Sequence, residues 1–310
     1  MPVTDITVPA STSNLGSSFD TCGLALSLYL KLRVEPQATG FKLQLNGEGA
    51  ASLPRDETNF IVQVAKAIAE KRGKPLGGAN ISISSQIPLA RGLGSSSSAI
   101  IAGISLFEVL TDTKLTTDEI FEYAMHFEGH GDNLAPCLLG GLVLACVRDH
   151  ESQPGKLIAV RTAWPDDIRI ILAIPDFEME TSKMRAALPE SVPIKDAIFN
   201  MQRTALLQAA LATGRYDLIG EAMKDRIHQQ YRAPLVPALS DVLKMNDSPE
   251  SFPGLLGVAI SGAGSTMIAL ARGGSEEIAA EMKSRIVAGG ANATTLEVSV
   301  DNAGRQIKEV

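Results

Sequence analysis

The sequence predicts an α+β chain in two domains, residues 1–155 and 156–310. Short stretches that alternate apolar and polar residues, as half-buried strands do, are interspersed with longer helix-like stretches in both halves. A polar loop, His150-Glu151-Ser152-Gln153-Pro154-Gly155, stands between the halves, and the mixture repeats after it. With 310 residues, 45% of them hydrophobic, and no repeat or low-complexity tail, the chain can bury two modest cores.

Composition narrows the functional classes. No apolar run approaches the roughly 18 residues that cross a bilayer. The start Met1-Pro2-Val3-Thr4-Asp5 lacks the basic and apolar regions of a signal peptide, so a cytoplasmic location away from membranes is expected. Cys22, Cys137 and Cys146 are odd in number and lack metal-ligand spacing, which points to reduced, mostly buried thiols. A net charge of -7 argues against general nucleic-acid binding, which depends on clustered Lys and Arg.

In the first half, strands are expected near residues 5–9, 26–35, 41–47, 80–86 and 141–148, with helices near 57–72, 95–111 and 117–127. In the second, strands are expected near 157–162, 168–174, 256–260 and 265–271, and helices near 181–187, 194–213, 215–226, 236–245 and 275–288.

Between the first two strands, Asn14-Leu15-Gly16-Ser17-Ser18-Phe19-Asp20 packs small polar residues, an amide and a carboxylate into one loop. Asn14 can donate and accept, and Asp20 can accept from an ammonium or a hydroxyl; the same residues also serve as plain turn formers. Ahead of the first helix, Thr58 or Asn59 is suited to be its N-cap.

The most informative stretch is Pro88-Leu89-Ala90-Arg91-Gly92-Leu93-Gly94-Ser95-Ser96-Ser97-Ser98, between a strand pattern and the apolar helix pattern that starts at Ala99. Gly92 and Gly94 let the backbone come close to a ligand, the unpaired N–H groups of the helix start face an anion, and the hydroxyls can reach a bound cation. The stretch lacks the Gly-Lys-Ser/Thr ending of a P-loop and the acidic residue of a dinucleotide fold.

A third cluster, Glu128-Gly129-His130-Gly131-Asp132-Asn133, gathers two carboxylates, an imidazole and an amide. His126 and His130 have the spacing of a zinc pair, but Gly129 and Gly131 flank the second and no zincin glutamate lies between them. In the second half, Arg185 and Arg232 offer planar forks suited to a carboxylate, and Ser261-Gly262-Ala263-Gly264-Ser265 makes a small-residue turn between two strands.

The pattern Pro-x-x-x-Gly-Leu-Gly-Ser-Ser-Ser resembles the central motif of the GHMP kinases, the superfamily of galactokinase, homoserine kinase and mevalonate kinase. The loop from Pro9 to Gly23 and the block Glu-Gly-His-x-Asp-Asn-x-Ala-Pro from Glu128 resemble homoserine kinases in particular, with Gly131 where proline is usual. Residues 261–265 resemble the third motif, with Ser265 in place of proline, and Ser17-Ser18 is unusual in the first.

The resemblance implies a mixed α/β nucleotide-binding N-terminal domain and a ferredoxin-like α+β C-terminal domain. It also implies ATP-dependent phosphorylation of the L-homoserine hydroxyl, a step toward threonine. Asn59 would lie by the base, and Pro88, Leu89, Ala90 and Arg91 would lead into residues 92–98 around the triphosphate, with Arg91 adding charge. Ser96 or a neighbour and Glu128 would hold Mg²⁺, with Glu122 as a competitor for the metal. The substrate would meet Asn14, Asp20, His130, Asn133, Arg185 and Arg232. Asp132 stands nearest to a base, and direct attack by a positioned hydroxyl is the alternative. The family also leaves room for a homodimer. A kinase of another small alcohol and a nucleotide-binding paralogue without activity are the rival readings, and two arginines with one carboxylate favour an amino acid acceptor.

Overall fold

The computed structural model describes residues 1–149 and 156–310; the polar loop 150–155 lies outside the described residues. The spine of the first sheet is β2 (Cys22–Gln37), in which Leu26, Leu28, Leu30, Leu32 and Val34 are buried while the residues between them face outward. One edge of β2 pairs with β1 (Thr4–Ser13), and the other pairs successively with β5 (Leu142–Val147) and β4 (Gly78–Ser85), all antiparallel. β3 (Phe41–Gly47) lies parallel to β4, the pair being connected through α1 (Phe60–Lys71). β6 (Leu157–Thr162) pairs with β5, and β11 (Gln306–Glu309) returns to pair with β1.

The division expected at 155/156 therefore moves. It falls between β5 and β6, neighbours in one seven-stranded sheet, and Leu157 of β6 is buried in the first core. The sheets part after Thr162, and the last strand belongs to the first sheet.

The second sheet contains β7 (Arg169–Pro175), β8 (Leu255–Ile260), β9 (Met267–Ala271) and β10 (Ala293–Val298) in the antiparallel order β10-β7-β9-β8. Helices between its first and second strands and between its third and fourth give the ferredoxin-like arrangement; the longest are α6 (Ile194–Thr213) and α10 (Ser275–Ala288).

α2 (Ser95–Thr111) is apolar on nearly all sides and accordingly buried, whereas α3 (Thr117–Phe127) is amphipathic and starts with a Thr116/Glu119 capping box. The short α4 (Leu134–Leu139) and the polar edge strand β10 carry no strong periodicity and are not legible in the sequence. The helices expected over 215–226 and 236–245 break into α7 (Ile219–Ala222), α8 (Gln229–Arg232) and α9 (Leu239–Leu243) with 3₁₀ turns beside them. The Asp225 carboxylate accepts from the backbone N–H groups of Ile227, His228 and Gln229, a local competition that starts a new helix. α5 (Thr181–Ala186) carries Arg185.

Candidate active site

The loop before α2 is shaped by three left-handed residues, Ala90, Gly92 and Gly94, at φ 51°, 72° and 68°. Gly94 is the N-cap, and no side chain caps the helix, so its first-turn N–H groups are left for an anion. A Cβ at Gly92 would collide with the Ser261 carbonyl oxygen, and one at Gly94 with Ser11 Oγ. The two glycines thus admit protein neighbours, where the sequence suggests a ligand.

The four serines have separate roles. Ser98 is buried and donates to the Pro9 carbonyl at 2.8 Å, anchoring α2 to β1 instead of facing a ligand. Ser97 donates to Glu128 Oε2 at 2.5 Å, so the hydroxyl beside the carboxylate is that of Ser97 rather than Ser96. Ser95 and Ser96 line two cavities that meet at the helix start. Leu93 is buried in the first core. Arg91 turns away from this place: its guanidinium donates to the carbonyls of Pro175, Leu89 and Asp176, fastening the loop to the second sheet.

The first cavity is lined by apolar side chains including Leu30, Leu45, Leu53, Phe60 and Leu89. Asn59 lines it too, but its amide is committed, Oδ1 accepting from Ile61 N at 3.1 Å and Nδ2 donating to the Pro54 carbonyl at 2.9 Å. Its visible role is the helix cap. Pro88 precedes the turn.

The second cavity is lined mainly by polar residues and gathers Asn14, Asp20, Glu128, His130, Asp132, Asn133, Arg185 and Arg232 from four separate segments. Asn14, at φ 74°, accepts from Asp20 N at 3.0 Å and donates to the Gly262 carbonyl at 2.9 Å, clamping two loops together. Asn133 likewise accepts from Ser11 Oγ and donates to Ser13 Oγ, both at 2.9 Å. Asp20 and Arg185 face each other in a two-bond pair, each bond 2.9 Å long. Thr181, not singled out in the sequence, lines the same cavity.

Glu128 has its carboxyl pushed up by burial, against the opposing Ser97 bond and the His130 charge. His130 Nδ1–H donates to Asp132 Oδ1 at 2.7 Å. Burial opposes the charge on His130, but the Asp132 bond and the nearby carboxylates outweigh it and hold the imidazole above its usual range. Glu122 lies outside, 3.4 Å from Lys71, and His126 also meets Lys71, so neither joins Glu128 or His130.

Arg232 is 2% exposed, and its pKa is pulled down to about 10 by burial and by the Arg185 charge. Its Nη1 donates to His228 Nδ1 at 3.1 Å and to the Gly262 carbonyl at 3.0 Å, while its Nε is buried without a partner among the described residues. His228 donates from Nε2 to the Gly16 carbonyl at 2.7 Å and stacks on Phe19 with ring centres 5.0 Å apart. Sequence reasoning passed over His228; its i, i+4 spacing to Arg232 was the available signal.

Three of the departures from the family pattern have local reasons. A Cβ at Gly131 would meet the Leu157 side chain, which fills that volume, and Ser265 donates to the Phe177 carbonyl at 2.8 Å. Ser17 ties its loop to α7 by donating to the Ala222 carbonyl at 2.8 Å. Glu128 and Ser97 form a hard oxygen pair beside an anion-binding helix start, which fits Mg²⁺. Asp20, His130 and Asp132 also offer atoms within 4.8 Å of one another, but Arg185 and His130 already match those carboxylates. Among the described residues, no helix is long and apolar enough to cross a membrane.

An apolar cleft and a charged cavity meeting at an uncapped helix start define a small-molecule phosphotransferase site. Residues 59–141 match the GHMP kinases N terminal domain and residues 207–288 the GHMP kinases C terminal domain. The chain belongs to the GHMP kinases. Within them it belongs to the homoserine kinase family: the homoserine kinase of Persephonella marina is 39% identical over 308 residues, 99% of each chain. The structure of homoserine kinase from Cytophaga hutchinsonii superposes with a TM-score of 0.82 at 27% identity, covering 99% of this chain and 98% of that one. The L. major mevalonate kinase solved with R-mevalonate has a TM-score of 0.67 at 17% identity, with 96% of each chain covered, and shares the fold alone.

Proposed function

We infer that this chain transfers the γ-phosphoryl group of ATP to the side-chain hydroxyl of L-homoserine, giving O-phospho-L-homoserine on the way to threonine in the cytoplasm. The observation that carries the reading is the shared wall: Ser95 and Ser96 border both the apolar cleft and the charged cavity. A nucleoside in the first and an amino acid in the second bring phosphate and acceptor together at the N-terminus of α2.

The acceptor cavity matches a zwitterion. The Arg232 edge left free by Nη1 can donate two parallel bonds to a carboxylate. The Asp20–Arg185 pair opens to give the ammonium to Asp20 and a second cation to the carboxylate. Asn14 and Asn133, already fixed by the protein, retain one N–H each for orienting the hydroxyl end. Glu128 and Ser97 would hold Mg²⁺, which neutralises phosphate charge when bound.

Phosphoryl transfer depends on positioning and charge more than on covalent chemistry. The acceptor oxygen bonds to the γ-phosphorus as the bond to ADP breaks. Asp132 is 2% exposed and committed to His130 Nδ1, so it serves as an orienting group, and the hydroxyl proton leaves on a phosphoryl oxygen. ADP release measured with L-homoserine, mevalonate and galactose tests the assignment. Turnover with L-homoserine is expected; turnover with another alcohol alone, or with none, overturns it.

A further inference from the structure

Arg232 lines the acceptor cavity, and its bonds to protein leave donors free on only one edge of the guanidinium. A guanidinium carries five N–H donors, and it can grip a carboxylate either across its two terminal nitrogens or side-on through Nε and one terminal nitrogen. Both Nη1 hydrogens are taken, one by His228 Nδ1 and one by the Gly262 carbonyl. Among the described residues neither Nε nor Nη2 has a hydrogen-bond partner, and Nε is fully buried. The side-on edge remains.

The imidazole that takes the first hydrogen is itself fixed. His228 is 0% exposed, and its Nε2–H is committed to the Gly16 carbonyl, which leaves Nδ1 as a lone-pair acceptor pointing at Arg232. Phe19 stacks on the ring and lies 5.2 Å from the Arg232 guanidinium. The Asp225 carboxylate holds the His228 backbone N–H at 2.9 Å. Through these contacts the loop that carries Asp20 and the helix that carries Arg232 share one rigid joint.

We propose that His228 is a positioning residue for acceptor recognition: as a neutral acceptor it pins Nη1 of Arg232 and so turns the Nε/Nη2 edge toward the acceptor carboxylate. The proposal rests on the amino acid reading of the cavity. It commits to the Nδ1 contact, not to the loop contact through Nε2, and those can be separated. In His228→Asn the amide oxygen can stand where Nδ1 stands and keep the bond to Arg232, whereas His228→Gln can reach the Gly16 carbonyl but loses the acceptor facing Arg232.

Steady-state kinetics of both variants, with melting temperatures recorded to establish folding, compare L-homoserine with its uncharged carboxamide. The glutamine variant is expected to raise KM for L-homoserine by about tenfold or more, the loss typical of a hydrogen bond to a charged group, with a smaller change in kcat. It is also expected to narrow the preference over the carboxamide, while the asparagine variant recovers most of both. Added to Arg232→Met, His228→Gln is expected to cost little further, because the two act as one unit. Equal impairment of the two variants, an unchanged KM in H228Q, or additive losses in the double variant would overturn the proposal. A wild-type enzyme that takes both acceptors equally overturns the amino acid reading itself, and the role of His228 with it.

Discussion

The donor cleft and the acceptor cavity meet at the start of α2 but are built differently. The helix start is formed by one continuous segment, the loop 88–94 followed by the serines, and its shape depends on glycines that let neighbouring backbone in. The acceptor cavity draws its charged and amide side chains from four separate segments in both halves of the chain, and most of its polar groups are already bonded to protein. The difference teaches that a phosphate site can be made by local backbone geometry, while recognition of a small zwitterion needs charges brought together from far apart and held against their own desolvation.

That contrast can be broken most severely on the donor side. Glu128→Gln keeps the size and removes the buried charge beside Ser97, and kcat is expected to fall about 10²–10³-fold with KM for L-homoserine much less affected; a matching rise in that KM would place Glu128 on the acceptor side instead. Arg232→Lys keeps a charge but not the fork, and KM for L-homoserine is expected to rise about 10–100-fold while KM for ATP holds. Equal effects on both substrates would erase the distinction between the cavities.

A gentler probe is acid. His228 is held neutral, its pKa depressed by burial and by Arg232 against the pull of Asp225 and Asp20. An unfolded histidine takes its proton near about 6.5, before the folded one does, so its contribution to stability is complete above that pH and is lost as the pH falls below it toward the folded value. Denaturant titrations from pH 8 to pH 5 should show that decline in the wild type and a flatter profile in His228→Asn. The smallest effect is expected at Asp132. Asparagine there still accepts from His130 Nδ1–H, and kcat should drop less than about tenfold, whereas a loss of 10²–10⁴ would establish Asp132 as a general base.

The glycine-serine turn and the long helices were legible in the sequence, because glycine-serine runs and 3.6-residue periodicity are local signals; the ferredoxin-like half was legible only through the family resemblance. The direction of Arg91 was not legible because a lone guanidinium next to such a loop carries no mark of where it points; here the carbonyls of Pro175 and Asp176 hold it to the second sheet and that of Leu89 to its own loop. Ser97 and Ser96 could not be told apart for the same reason, since rotation around α2 decides which hydroxyl meets Glu128. The expected break at 155/156 failed because composition marks a loop but not the hydrogen-bond ladder that continues beyond it into β6.

By itself, then, the sequence determined most of the strands and the long helices, the glycine-serine turn ahead of α2 and the family of the chain, each written in contiguous residues. Only the tertiary structure decided that Asp20 and Arg185 neutralise each other, that Asn14 and Asn133 are clamps as well as cavity walls, and that His228 leaves Arg232 a single free edge. Those outcomes depend on distances between segments as many as 248 residues apart, and pairwise bonding across such separations is fixed by how the two sheets pack rather than by any local pattern.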